Sequence, residues 1–182
     1  MDAQQLDTVA THLHNARRVL FVTGAGISAE SGLPTYRGVG GLYNDSDTED
    51  GVPVEMALAG QMLRERPEIC WKHLLQVGKA CASATFNRAH EIIARLENHL
   101  PHVCVLTQNI DGYHRDAGTR NLIEIHGNNR RLICTRCDWR KAAPPYSSSF
   151  YDSLPPTCPT CGAVTRPDVT LFGEMLPEEA VE

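Results

Sequence analysis

What the chain lacks narrows its class before any motif is read. No apolar run among its 182 residues approaches the roughly 20 that a helix needs to cross a bilayer. The opening MDAQQLDTVATHL has neither a basic start nor an apolar core, so it does not read as a secretory signal. No basic block offsets the net charge of −5, which speaks against direct nucleic-acid binding. No internal repeat is visible. Cysteine pairing is incomplete on arithmetic alone: seven is an odd number, four of the seven stand in CxxC pairs, and Cys70, Cys81 and Cys104 lie in apolar contexts. In a reducing compartment that usage favours metal for the pairs and small core hydrophobes for the other three. The expectation is a cytoplasmic protein without membrane contact. What is present is ordinary for a globular chain, 42% apolar and 21% charged, and the length suits one domain with at most a small appended module.

The stretch TGAGISAESGLPTYR, residues 23–37, organises the rest. Val19, Leu20, Phe21 and Val22 before it read as a buried strand. Gly24 and Gly26 let the backbone turn sharply and approach something large and negative. A helix is expected to begin over 27–31, its first amides pointing at whatever the loop holds, with Ala29 in the third small position. Two glycines after a strand suit an ordinary tight turn equally well. The Ser31-Gly32-Leu33-Pro34 turn and the Thr35-Tyr36-Arg37 that follow it are not needed by a phosphate clamp.

Apolar spacing at Leu6, Val9, Ala10, Leu13 and Ala16 predicts an amphipathic first helix. Residues 38–51 are rich in glycine and acid and read as a mobile loop beside the ligand site. Helices are expected over 56–63, 67–77 and 89–96, strands over 103–106 and 122–125, and a further extended segment over 169–172. Strands alternating with helices predict an α/β fold with a Rossmann-like parallel sheet. Ligands of such sheets sit beyond the carboxyl ends of the strands, where Gly24, Gln108, Asn109 and His126 all fall. The expected division is 1–129 as the first part of the sheet domain with a helical insert over about 53–99, then 130–166 as a small inserted module, then 167–182 returning to the sheet.

That module contains Cys134-x2-Cys137 and Cys158-x2-Cys161, spaced as in tetrathiolate zinc sites. Four thiolates fill a tetrahedral shell and leave no open position, so one structural Zn2+ is expected rather than a catalytic ion. Two redox CxxC motifs in one insert are the less economical reading. The zinc would let a short insert fold despite a meagre core.

Taken together, these stretches resemble the sirtuins, NAD-dependent protein lysine deacylases. The resemblance rests on GAGISAESGLPTYR at 24–37, TQNIDGYHRDAG at 107–118, EIHG at 124–127, both CxxC pairs, and RPDVTLFGE at 166–174. It implies that Gly24, Ala25, Gly26, Ile27, Ser28, Ala29, Glu30 and Ser31 approach NAD, with Tyr36 and Arg37 closing over it. It implies that Gln108, Asn109, Ile110 and Asp111 line the ribose and nicotinamide pocket, and that His126 is the general base with Asn109 also catalytic. Val169, Phe172, Gly173 and Glu174 would border the acyl-lysine channel, where an extended peptide pairs with backbone. In the implied reaction nicotinamide leaves, the acyl oxygen takes its place on the ribose carbon, and His126 removes a proton from a ribose hydroxyl. An imidazole suits that task because its ordinary pKa of about 6.5 lies near working pH.

Each of these residues also has a plainer reading. His126 would be a surface histidine at a strand end, Gln108 and Asn109 turn residues, Asp111 a helix N-cap, and Tyr36 with Arg37 a loop cation–aromatic pair. The chain also departs from the sirtuin pattern. Tyr36 replaces the usual Phe, Thr170 replaces an aliphatic residue, and Leu74 and Val77 fall where some sirtuins carry a Tyr-x-x-Arg clamp for acidic acyl groups. An acetyl or other uncharged acyl chain is therefore expected. Full sirtuins continue past the FGE segment with strand–helix units that hold the adenosine half of NAD. The sheet is expected to be incomplete on its C-terminal side, with an edge open to self-association. The competing readings are a catalytically inactive, zinc-stabilised interaction module and an NAD-dependent ADP-ribosyltransferase.

Overall fold

The computed structural model describes residues 2–35 and 48–180. Tyr36, Arg37 and most of the expected 38–51 loop lie outside the described residues. Helix α1 (Ala3–Asn15) starts on a reciprocal cap, in which Asp2 accepts the Gln5 amide at 2.8 Å and Gln5 accepts the Asp2 amide at 3.0 Å. None of its residues is buried, and Leu6 and Val9 stay about half exposed. Of the predicted apolar stripe only Leu13 and Ala16 are even partly buried.

Strand β1 (Arg18–Thr23), β2 (His102–Thr107) and β3 (Leu122–Glu124) form a parallel sheet in that order. Its register sets Thr23 opposite Thr107 and Thr107 opposite Glu124. The parallel sheet is the Rossmann-like one expected. The chain therefore leaves all three strands at one edge. After β1 comes a single turn of helix, α2 (Ala25–Ser28), tightening into a 3₁₀ turn over Ala29–Ser31. The helix thus begins two residues earlier than the spacing predicts and is shorter. Its brevity follows from Leu33 N–H folding back onto the Ser28 carbonyl.

Between β1 and β2 lie α3 (Val54–Ala57), α4 (Gly60–Glu65), α5 (Pro67–Ser83) and α6 (Arg88–Leu96). The single helix expected over 56–63 is broken. At Leu58 and Ala59 the backbone instead makes a parallel bridge to Phe172, with Phe172 N–H donating to Leu58 O at 3.1 Å and Gly60 N–H to Phe172 O at 3.0 Å. A partner distant in sequence takes the hydrogen bonds that a continuous helix would have used, which local propensity cannot foresee.

The short helix α7 (Tyr113–Asp116) leads to β3, after which β4 (Gly127–Cys134), β5 (Arg140–Ala142) and β6 (Thr165–Val169) form an antiparallel sheet ordered β5-β4-β6. No helix among the described residues is long and apolar enough to cross a membrane. The core sits where the helical insert meets this second sheet, built from Leu58, Leu63, Trp71, Leu74, Leu132, Tyr151, Val169 and Leu171. Trp71 is its keystone: the ring is 1% exposed, and its indole N–H donates to Thr165 O at 2.6 Å. Cys70 and Cys81 are buried as expected, and burial pushes both thiols up to about 12, which leaves them unreactive. Cys104, on β2, is only half-buried. Trp71→Ala should lower stability by about 3–5 kcal/mol, through the cavity and the orphaned Thr165 carbonyl. Equilibrium urea unfolding measures this, and an unchanged midpoint would contradict the assignment of the core.

Candidate functional site

Because the three parallel strands end together, their following residues meet. A cavity of about 680 Å³ opens there, walled by Gly24, Ala25, Gly26, Gln108, Asn109, Ile110, His126, Val169, Phe172, Gly173 and Glu174. A second of about 150 Å³ adjoins it, adding Ser28 and Asp111 and sharing Ala25, Leu58, Val77, Asn109 and Ile110 with the first. Most residues expected to share a site are thus brought together. Among the described residues, neither wall includes Ile27, Ala29, Glu30 or Ser31. Ile27 O and Ser31 Oγ are instead bound by Asn87 Nδ2 at 2.7 and 3.0 Å.

His126 stands in the turn between β3 and β4. Its Nδ1 lies 2.9 Å from Gln108 O. A carbonyl only accepts, so Nδ1 carries the proton and Nε2 keeps a lone pair. The imidazole is thereby held in the tautomer a base needs. The turn itself depends on Gly127, with φ of +78°, where an added Cβ would stand 2.1 Å from Asp168 O. On the other side Thr170 N–H donates to His126 O at 2.9 Å, joining the histidine to the segment after β6.

Asn109 and Asp111 are both nearly buried and belong to one hydrogen-bond chain. Asn109 Nδ2 donates to Gly24 O at 3.0 Å and to Ser28 Oγ at 3.1 Å, and Ser28 Oγ donates to Asp111 Oδ2 at 2.8 Å. Asp111 Oδ1 accepts Tyr113 N–H at 2.9 Å, so this carboxylate also serves the helix start that the plainer reading assigned to it. The amide donors of Asn109 are thus spent on the scaffold, and its carbonyl oxygen remains for a ligand. Nothing lies within 4 Å of where a Cβ would stand on Gly24 or Gly26, so these two present bare backbone to open space. That bareness fits the close approach of a dinucleotide.

Leu74 and Val77, one turn apart on α5, also line the larger cavity, and no Lys or Arg stands among its described wall residues. Glu174 reaches the wall, but Arg166 and the Leu171 amide hold its carboxylate.

Two supports escaped the sequence reading. Asn87 pins the glycine loop as above while capping α6. His114 lies 2.9 Å from Thr23 Oγ1 through Nε2, directly before the loop, with its ring 4.8 Å from that of His90. His114 lies inside a stretch singled out from sequence, and Asn87 announces itself only as a cap. No local pattern reveals that both reach residues dozens of positions away.

At the far end of β4 the sulfurs of Cys134, Cys137, Cys158 and Cys161 all lie within 4.8 Å of one another. Cys134 and Cys161 are 3.4 Å apart and Cys137 and Cys158 3.7 Å. Around a zinc with bonds of about 2.3 Å, tetrahedral sulfurs stand roughly 3.8 Å apart, so the group fits one such ion. Backbone amides of Arg136 and Thr160 point at Cys134 and Cys158 sulfurs at 3.3 and 3.4 Å, as thiolates require.

The Sir2 family pattern matches residues 24–182. NAD-dependent protein deacylase 2 of Pseudomonas aeruginosa is 53% identical over 177 residues, covering 96% of this chain and 68% of the relative. Its counterpart from Pseudomonas syringae pv. tomato is 54% identical over 175 residues, covering 95% and 69%. Among solved structures, a Sir2 homologue in complex with NAD superposes with a TM-score of 0.80 at 34% identity, covering 96% of this chain and 65% of that one. A Sir2 protein with a deacetylated p53 peptide and 3′-O-acetyl ADP-ribose gives 0.86 at 30% identity, covering 97% and 69%. The chain belongs to the Sir2 family.

Two outcomes follow from the site. Metal analysis should find one zinc per chain, and Cys158→Ser should lose it together with much of the thermal stability; retention of zinc would break the tetrathiolate assignment. Burial, then the neighbouring His90, push His114 down from 6.5 to about 4, and burial lowers His90 as well. Between those values the unfolded chain binds protons that the folded one refuses, so stability present above pH 6.5 is lost as pH falls toward 4. Urea midpoints measured across that window should decline less steeply in His114→Gln than in the parent.

Proposed function

We propose that this chain removes acyl groups from protein lysines at the expense of NAD, with acetyl-lysine as the preferred substrate and lysine, nicotinamide and O-acyl-ADP-ribose as products once water is counted. The observation that carries the reading is His126. Its Nδ1–H is committed to Gln108 O, which leaves Nε2 as the basic nitrogen, and the residue lines a cavity whose other walls include bare glycine backbone and the segment after β6. The relatives' names support the same reaction.

In this reading Gly24, Ala25 and Gly26 lie against NAD, with Tyr36 and Arg37 assigned to close over it. The free carbonyl of Asn109 and the Asp111 carboxylate take its carboxamide. Bound there, NAD supplies a leaving group and an electrophilic ribose carbon. His126 Nε2 accepts the proton of a ribose hydroxyl, and Gln108 O steadies the imidazolium that results. Val169, Phe172 and Gly173 receive the extended peptide and direct its acyl-lysine toward His126. The apolar surfaces of Leu74 and Val77, with no Lys or Arg among the described wall residues, favour an uncharged acyl group and oppose a carboxylate, whose burial unpaired is costly.

A second reading, an interaction module without turnover, is favoured by one observation. β1 has a single neighbour among the described residues, and its Leu20 and Val22 are 59% and 62% exposed, which leaves an apolar strand edge for a second copy. One experiment separates the two. The chain is incubated with NAD and either an acetyl- or a succinyl-lysine peptide, following nicotinamide and peptide mass. Release should require the acetyl peptide and fall at least about 100-fold in His126→Ala. Succinyl peptide should react far more slowly. A peptide that gains ADP-ribose instead of losing acetyl would mean a transferase. No release, together with concentration-dependent dimers in sedimentation, would replace the enzyme reading with the second.

A further inference from the structure

Glu174, expected from the resemblance to border the acyl-lysine channel, spends its carboxylate on an ion pair beside the cavity. Arg166, on β6, donates from Nη1 to Glu174 Oε1 at 2.6 Å and from Nη2 to Oε2 at 2.8 Å, a two-pronged contact between side chains only 12% and 24% exposed. Glu174 Oε2 also accepts Leu171 N–H at 2.9 Å, and Arg166 Nη2 donates to Val169 O. Burial works to raise the Glu174 carboxyl, but the Arg166 hydrogen bonds, the Leu171 amide and the charges of Arg166 and Arg64 together outweigh it, and the group stands below the ordinary carboxylate range. A charge-assisted fork of this kind fixes orientation as well as distance. Its effect is to tie residues 166, 169, 171 and 174 into one closed loop.

The loop is seated on the helical insert. Phe172 N–H and O bond Leu58 O and Gly60 N–H, so residues 171–173 lie along the start of α4. Gly60 is what allows the seat. A Cβ there would stand 2.7 Å from Glu174 Oε1 and 2.8 Å from its Cγ, well inside contact distance. The carboxylate cannot yield to such a side chain without leaving Arg166. Gly60 thus converges with the distant Arg166–Glu174 pair on a single constraint, and Val169, Phe172 and Gly173, which that constraint shapes, line the cavity.

We infer that Arg166, Glu174 and Gly60 are positioning residues for the acyl-lysine peptide, holding residues 169–173, with their turn at Gly173, in the form onto which it pairs. The inference rests on the deacylase reading above. Glu174 acts through Leu171 and Phe172 and does not itself touch the substrate. Because the loop binds peptide rather than NAD, disturbing it alters peptide affinity and spares the chemistry once substrate is seated.

The test compares Glu174→Gln, Gly60→Ala and the double variant Gly60→Ala/Glu174→Asp with the parent at saturating NAD. Each single variant should raise the peptide KM about tenfold with kcat within about twofold and the KM for NAD unchanged. The double variant should be no better than Gly60→Ala, because aspartate keeps a Cγ at the 2.8 Å clash and draws its carboxylate back from Arg166. A loss confined to kcat, or a fall in melting temperature with KM intact, would overturn the inference. Amide hydrogen exchange keeps it separate from the activity it rests on. Even if the parent proves inactive, the Leu171 and Phe172 amides should exchange at least about tenfold faster in Glu174→Gln while β2 amides are unchanged, and equal exchange there would overturn it.

Discussion

Parallel pairing of β1 with β2, in the register that sets Thr23 opposite Thr107, is the constraint on which the rest of the site depends. It ends both strands at one level, and Gln108 N–H then extends the ladder one step by donating to Thr23 O at 2.9 Å. From that point the two chains diverge with their polar residues already face to face. Asn109 reaches Gly24 O, and Ser28 reaches Asp111. Side chains alternate along a strand, so slipping the register by one residue would turn Val105 and Thr107, both buried, to the opposite face and break each of these contacts.

The polar groups so gathered would be expensive to bury singly. They become tolerable because each is partnered: Asn109 with two acceptors, Asp111 with a hydroxyl and an amide, His126 with a carbonyl. That satisfaction is also selective. It consumes the donors of Asn109 and one nitrogen of His126, and leaves to the cavity an acceptor oxygen and a basic nitrogen. His114 and His90 differ: burial disfavours their charged forms, and His114 Nδ1 and His90 Nε2 have no hydrogen-bond partner among the described residues.

The second sheet works at longer range. Its strand β4 begins directly after His126 and ends at Cys134, so a metal site at one end and a base at the other share one element. Its β6 carries Arg166, and the core around Trp71 joins it to the helical insert. The wall of the cavity after β6 is thereby held from the zinc side and from α4 at once. The break in the helix expected over 56–63 follows from the same junction, since Phe172 claims the backbone at Leu58 and Gly60.

Much of this was legible in the residues themselves. Val19 to Val22 and Val103 to Leu106 are short, apolar and bounded by polar residues, and both are strands, although the first, expected to be buried, has no buried residue. Gly24 and Gly26 announce a close backbone approach, and two CxxC pairs announce a metal, because each signal arises from chemistry within a few positions. Strand identity, the α/β class, the order of motifs and the ligand-bearing cysteines are therefore properties of the sequence. The remaining facts join positions far apart: Asn87 to Ile27, His114 to Thr23, Gly60 to Glu174, and the tautomer of His126 through Gln108 O. None has a local signature, since a side chain that bonds at long range looks the same in sequence as one that meets water. Only the tertiary structure, by closing those distances, decides which polar groups are spent on the scaffold and which are left for chemistry.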